Sequence, residues 1–228
     1  MGTSKGYIAP TSPTWSAAKR TVSGFIRNKD GESCAKAVSK YSEASKGLSA
    51  SNSTFQIAAG KVLGLSRSIA RNGVGSALHD FGRDDLIGKD SEQILEEILD
   101  ECTNYQHTRE DALTAIAISE SLKELGINSL EELGNIDELT LLRQMVIEYI
   151  NADFDFNFEE KIGKGRTVRE KNALLDQIHK YVANSVYPEL DERFLYSLNI
   201  KKLGDQAIVK ETVQKAYQVL EDFYGDQL

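Results

Sequence analysis

The stretch 91-SEQILEEILDEC-102 decides the fold. Ile94, Leu95, Ile98, Leu99 and Cys102 recur at steps of three and four, so they line one face of an α-helix while carboxylates occupy the rest. Ser91 stands just before them and predicts an N-cap, because its hydroxyl accepts a hydrogen bond from an otherwise orphaned backbone N–H. The same spacing continues in both directions. Upstream, 53-STFQIAAGKVLGLSRSIARNGVG-75 sets Phe55, Val62, Leu65 and Ile69 on one face, and Ala58, Ala59, Gly60 and Gly64 predict tight helix contacts. Downstream, Ala115, Ile118, Leu122 and Leu125 follow a Thr108 cap. Leu139, Leu142, Val146, Tyr149 and Ile150 repeat the pattern, as do Leu174, Ile178, Tyr181 and Val182, and finally Val209, Val213, Ala216 and Leu220. Short Gly/Asn stretches such as LGINS and LGNID separate these segments. The expected fold is all-α, an irregular antiparallel helical bundle.

One segment breaks the pattern. In 154-FDFNFE-159, Phe154, Phe156 and Phe158 alternate strictly with polar residues, which predicts one short extended segment, either a docking edge or a connector pinned on the core. At the other end, residues 1–11 are expected to form an extended tail, because Gly2, Gly6 and Pro10 all oppose helix. Ser12 as N-cap and Pro13 at the first helical position then open a helix that ends before NKDGES. A second segment, 32-ESCAKAVSKYSEASKG-47, has little apolar bulk, with Gly47 as its expected cap; it is either loosely held or packed closely on another backbone. The chain thus divides into the tail, a basic helical arm at 12–50 and a helical bundle at 51–228.

Charge separates along the same division. Residues 1–75 carry eleven Lys/Arg against three Asp/Glu, a net of +8, while the remainder carries −16. A basic arm on an acidic body suits nucleic acid, an acidic partner, or the chain's own acidic half. Lys19, Arg20 and Arg27 are the arm residues placed to make such contacts. No run reaches the roughly 18–20 apolar residues of a membrane span. No apolar signal-peptide centre precedes Lys19 and Arg20. With two cysteines, Cys34 and Cys102, no disulfide framework is expected, and the cytoplasm is the expected location.

The residues of catalysis do not assemble into a signature. In 163-GKGRT-167 the Walker spacing is absent, and Asp80-Phe81-Gly82 lacks the companion motifs of a kinase. His79, His107, His179 and the two cysteines show no ligand spacing, so neither a metal nor any cofactor is expected. No nucleophile elbow is present, and acidic pairs such as Glu96-Glu97 read as solvated helix faces. The chain is therefore expected to have no catalytic residues of its own.

The opening MGTSKGY points elsewhere. Gly2 is small enough for Met1 to be removed, leaving an unhindered α-amine. Its pKa of about 7.7–8.0 keeps a neutral, nucleophilic fraction that a lysine near roughly 10.4 does not have. Myristoylation asks for Ser or Thr at position 6, where this chain has Gly6.

This opening, the basic segment after it and 71-RNGVGSALHDFGRDDLIGKDSEQILEEILDEC-102 resemble the B component of the Qat anti-phage defence system of bacteria. The residues that carry the resemblance are Gly73, Gly75 and Leu78, then Leu86, Ile87, Gly88 and Lys89, with 167-TVREKNALLDQIHKYV-182 near the C-terminal end. Residues 8–50 lack the long Gly/Pro-rich linker of many members. The resemblance implies three partners: a P-loop ATPase, a QueC-like enzyme of deazapurine chemistry and a TatD-like nuclease. It further implies that Gly2 is the acceptor of a deazaguanine-type modification, with Thr3, Ser4, Lys5, Gly6 and Tyr7 threaded into the QueC-like partner. Two alternatives stand beside it: a helical scaffold joining ATPase and nuclease, and a nucleic-acid adaptor acting through the basic arm.

Overall fold

Helix starts are set by side-chain caps. In the computed structural model, which describes residues 11–49, 53–102, 108–191, 193–194 and 206–222, the Ser12 hydroxyl accepts from the Trp15 backbone N–H and Pro13 opens α1 (Pro13–Asn28). A left-handed Lys29 turns the chain into α2 (Gly31–Ser49). Then follow α3 (Ser53–Asn72), α4 (Val74–Asp80), a 3₁₀ turn at Asp84–Leu86 and α5 (Ser91–Cys102). Next come α6 (Arg109–Glu124), α7 (Leu130–Asn135), α8 (Glu138–Gly163), α9 (Val168–Glu189) and α10 (Gln206–Asp222). Thr108 and Thr167 each close a capping box, with Asp111 and Glu170 answering from the third helical position. No strand occurs among the described residues, and the fold is an all-α bundle.

Helix α8 is the spine. It packs against α6 and α9 on its flanks and also touches α3 and α10. Its first half is buried around its circumference by Leu141, Leu142, Met145, Val146, Ile147, Tyr149 and Ile150, as a helix at the centre of a bundle must be. Phe55 of α3 stacks on Tyr149, with centroids 4.2 Å apart. Short connections such as 164–167 between α8 and α9 make neighbours antiparallel.

The extended segment expected at 154–159 is not there; helix α8 runs straight through it. Phe154 and Phe158 are one helical turn apart and both buried, so they serve a four-residue spacing as well as a two-residue one. Phe156, on the opposite side, is 43% exposed and lies under the Arg109 guanidinium, 4.4 Å from its carbon to the ring centre. Period two was a coincidence of one extra aromatic.

Three smaller corrections have local causes. Helix α5 is capped by Asp90, whose carboxylate accepts from the Glu92 and Gln93 backbones; Ser91 is its first helical residue. Helix α2 continues past Gly47 to Ser49. Its low bulk reflects close packing, since Cys34, Ala37, Val38, Tyr41 and Ser42 are buried beneath α1, α9 and α10. The stretch LGNID is partly helical as the end of α7, and its Gly134 serves close approach: a Cβ there would meet Ile69 Cγ2 at 2.4 Å. Gly64, by contrast, has open space around it. Gly134→Ala is therefore expected to destabilise the protein by about 1–3 kcal/mol through overpacking, whereas Gly64→Ala should not destabilise it. Urea midpoints of the two variants check this contrast.

Candidate functional site

Helix α1 is the first described helix and follows the residues singled out at the start of the chain. Its start is held by the Ser12 cap and by Trp15, which is 4% exposed. The Trp15 ring meets Tyr41 edge-on at 6.2 Å and lies tilted on Phe158 at 6.3 Å. Such pairs contribute roughly 0.5–1.5 kcal/mol each beyond the area they bury. The start of α1 is thus fixed to the core, while residues 11 and 12 are exposed.

Beneath this anchor lies a polar node that sequence reasoning missed. Asp153 of α8 is 4% exposed. Its Oδ2 accepts from Tyr41 at 2.6 Å, Ser45 at 3.2 Å and Tyr217 at 3.5 Å. Its Oδ1 accepts from Arg109 Nη2 at 2.6 Å and Asn157 Nδ2 at 3.2 Å. Four helices, α2, α6, α8 and α10, therefore converge on one carboxylate. Burial, then the Asp153 charge, hold the Tyr41 hydroxyl well above its ordinary pKa, so it acts as a hydrogen-bond donor rather than an acid. With both carboxylate oxygens engaged, the node's role is cohesion. One signal was available: Asp153 sits four residues after Tyr149, on the apolar face of its own helix.

Of the residues singled out from sequence, Gly2, Thr3, Ser4, Lys5, Gly6 and Tyr7 lie outside the described residues. Lys19, Arg20 and Arg27 are all on α1. Arg20 and Arg27 are exposed and seven residues apart, hence on one face. Lys19 is half-buried, and its backbone carbonyl accepts from Lys161 Nζ. Burial, then the Lys19 charge, push the Lys161 pKa below the usual lysine value.

The residues that carry the resemblance have physical roles in the fold. Gly73 and Gly88 adopt positive φ of 79° and 86°, a region open to glycine, and Leu78 and Leu86 are buried. Between them Arg83 ties the turn to α5, reaching Glu97 at 2.7 Å and Glu101 at 3.0 Å as well as Asp85 at 3.0 Å. His79 pairs with Asp84 at 2.8 Å. Among the described residues no group of three or more His, Cys, Asp or Glu is arranged to hold a metal ion. Burial, aided by the Asp30 charge, pushes the Cys34 thiol up to about 12, so this sulfur is not a ready nucleophile. The Cys102 side chain lies outside the described residues. No helix among them is long and apolar enough to cross a membrane.

A groove of about 680 Å³ opens between α6, α8 and α9. On its floor His179 Nε2 lies 2.9 Å from Asp155 Oδ1. Burial lowers the pKa of this imidazole, but the hydrogen bond and charge of Asp155, with Glu148 and Asp176 beyond, outweigh it and raise the net value. Burial also raises Glu148 above the usual carboxylate pKa. A raised folded pKa stabilises at pH below the unfolded value and ceases to do so as pH rises through the folded one. The His179 contribution is thus fully present below its ordinary 6.5 and lost above its raised value; Glu148 acts with the same sign at lower pH. Melting temperature is expected to fall as pH rises through this window, and His179→Gln should flatten that fall. Thermal melts from pH 5.5 to 8.5 measure it.

Comparison with curated proteins found no match, and comparison with solved structures found none. The profile of the Qat anti-phage system associated protein QatB matches residues 42–220, a span from the second half of α2 to the last turn of α10 that includes the Arg83 turn, the groove and the Asp153 node apart from Tyr41. Membership makes the chain a component of an anti-phage defence system and implies the other components of that system as partners. The chain belongs to the QatB family.

Proposed function

We propose that this chain is a non-enzymatic component that binds a QueC-like partner enzyme and presents the amine of Gly2 as the acceptor of a deazaguanine-type group. The observation that carries the reading is the sequence Met1-Gly2-Thr3-Ser4-Lys5-Gly6-Tyr7, set before a helix whose start is fixed by Ser12 and Trp15. Fully extended in a partner's site, residues 2–11 would span roughly 33–36 Å. That length suffices to enter an active site while the body stays outside.

The chemistry balances with ATP supplied to the partner. A deazaguanine carboxylate attacks ATP and pyrophosphate leaves, giving an acyl adenylate. The neutral Gly2 amine attacks the acyl carbon, AMP leaves, and the extra proton of the nitrogen goes to solvent. One amide bond joins base to protein. Thr3, Ser4 and Gly6 are small enough for a narrow channel, while Lys5 and Tyr7 supply the contacts that set register.

The helical body supports a second reading, a scaffold joining the ATPase and the TatD-like nuclease; the exposed Arg20 and Arg27 support a third, nucleic-acid binding. Deleting residues 2–7 separates them. The acceptor reading requires that protection is lost while the purified chain keeps its fold and its other partners. Protection that persists favours the scaffold. Salt-dependent nucleic-acid binding that disappears when Lys19, Arg20 and Arg27 are neutralised favours the third.

A further inference from the structure

We infer that the groove between α6, α8 and α9 is the docking site for a positively charged segment of a partner protein, one that presents an arginine or lysine beside an apolar side chain. The inference does not depend on whether Gly2 is modified.

Four observations converge on it. First, Glu120, Glu124, Glu148, Asp155 and Asp176 line the groove, against Lys180 and, when protonated, His179 among the described residues. Lys123 at the rim pairs with Glu120 at 2.9 Å. Second, Asn151 lines the same groove, is 4% exposed, and donates its Nδ2 to Glu148 Oε2 at 3.2 Å, leaving its Oδ1 without a hydrogen-bond partner. A buried acceptor without a donor is destabilising, and the carboxylates beside it have no N–H to give. A guanidinium or ammonium entering the groove would lie against Glu148, and a turn of the Asn151 side chain, whose oxygen is covered in this structure, would bring the acceptor to it. Third, Glu148 is desolvated enough to disfavour its own charge, a cost that an incoming cation removes. Fourth, Ile116 is 51% exposed at the mouth. There the groove meets a second hollow of about 450 Å³, between α5 and α6, that adds Glu96 and Asp100.

These features choose among occupants. Nucleic acid is repelled, because its phosphates would face carboxylates. An apolar segment would leave the Asn151 acceptor unpaired and would bury Glu148 further with no added cation. A small polyamine would satisfy charge but leave Ile116 bare. A basic segment with one apolar residue answers all of them, and a space of this size admits several side chains.

The test uses the full chain expressed with the rest of its defence system. A photoreactive benzoylphenylalanine is placed at Ile116, cells are irradiated, and the cross-linked peptide is sequenced by mass spectrometry. The expected product joins position 116 to a segment of another protein with an excess of Lys and Arg. The exposed pair Glu124→Lys and Asp176→Lys should lower its yield at least tenfold with an unchanged melting temperature. Should that pair impair folding, Glu124→Gln with Asp176→Asn gives the same readout without charge reversal. The inference is overturned by no cross-link above that from the exposed control position Val168, by a cross-link to nucleic acid or to a segment without excess positive charge, or by a yield indifferent to the substitutions.

Discussion

Cells carrying Gly2→Leu are expected to be as sensitive to phage as cells lacking the defence system. Leu at position 2 is too large for removal of Met1, so the chain would begin with a hindered methionine amine in place of glycine. An amide forms only if the amine nitrogen reaches the activated carbon, and a misplacement of about 1 Å already costs on the order of 10²-fold. Gly2→Ala is the informative control: Met1 is still removed and the amine is only slightly more hindered, so partial modification and partial protection are expected. Neither substitution touches the Ser12 cap or Trp15, so both proteins should melt with the unchanged chain. Plating efficiency measures the outcome, and full protection by Gly2→Leu would remove Gly2 as the acceptor.

The largest effect on stability is expected from Asp153→Ala. The substitution leaves Arg109, Tyr41, Ser45 and Asn157 without the acceptor they share, with Arg109 and Tyr41 each at 2.6 Å in the intact protein. Removing one partner from a buried charged network costs about 3–5 kcal/mol, because the remaining charge and donors stay desolvated. For a chain of this size that corresponds to a fall of roughly 10 °C in melting temperature. Asp153→Asn keeps the volume but confronts Arg109 with a neutral amide, and should fall between the two. The consequence reaches the N-terminal end through contact, since Tyr41 holds Asp153 on one side and the Trp15 ring on the other. Asp153→Ala is therefore expected also to expose Trp15, read as a red shift of its fluorescence. An unchanged melting curve would show that the node contributes little.

The bundle was readable because its peripheral helices each bury one face. Ile94, Leu95 and Ile98 on α5, and Val209, Val213, Ala216 and Leu220 on α10, carry the three-to-four spacing that this geometry imposes. The start of α1 was equally clear, since Ser12, Pro13 and Trp15 act within one turn. Helix α8 was harder for the opposite reason. A central helix buried over most of its circumference has little contrast between faces, and three phenylalanines then imposed a false alternation on its second half. The Asp153 node was hidden because its donors come from residues 41, 45, 109 and 217, and spacing along the chain carries no trace of such convergence. Gly134 shows the same limit. Its neighbour is Ile69, and only the folded chain tells a glycine that ends a helix from one that admits another helix. The groove was not visible: Glu124, Glu148, Asp155 and Asp176 come from three helices and belong to none of the acidic pairs read as solvated faces, and no spacing conveyed that Asn151 lies buried among them.

The acceptor role of Gly2 is tested most directly by the mass of the intact chain and of its N-terminal peptide, purified with an active QueC-like partner and with an inactive one. The account predicts loss of Met1 in both, and a deazaguanine-sized addition on Gly2 only with the active enzyme. An identical, unmodified N-terminus in the two preparations would contradict it.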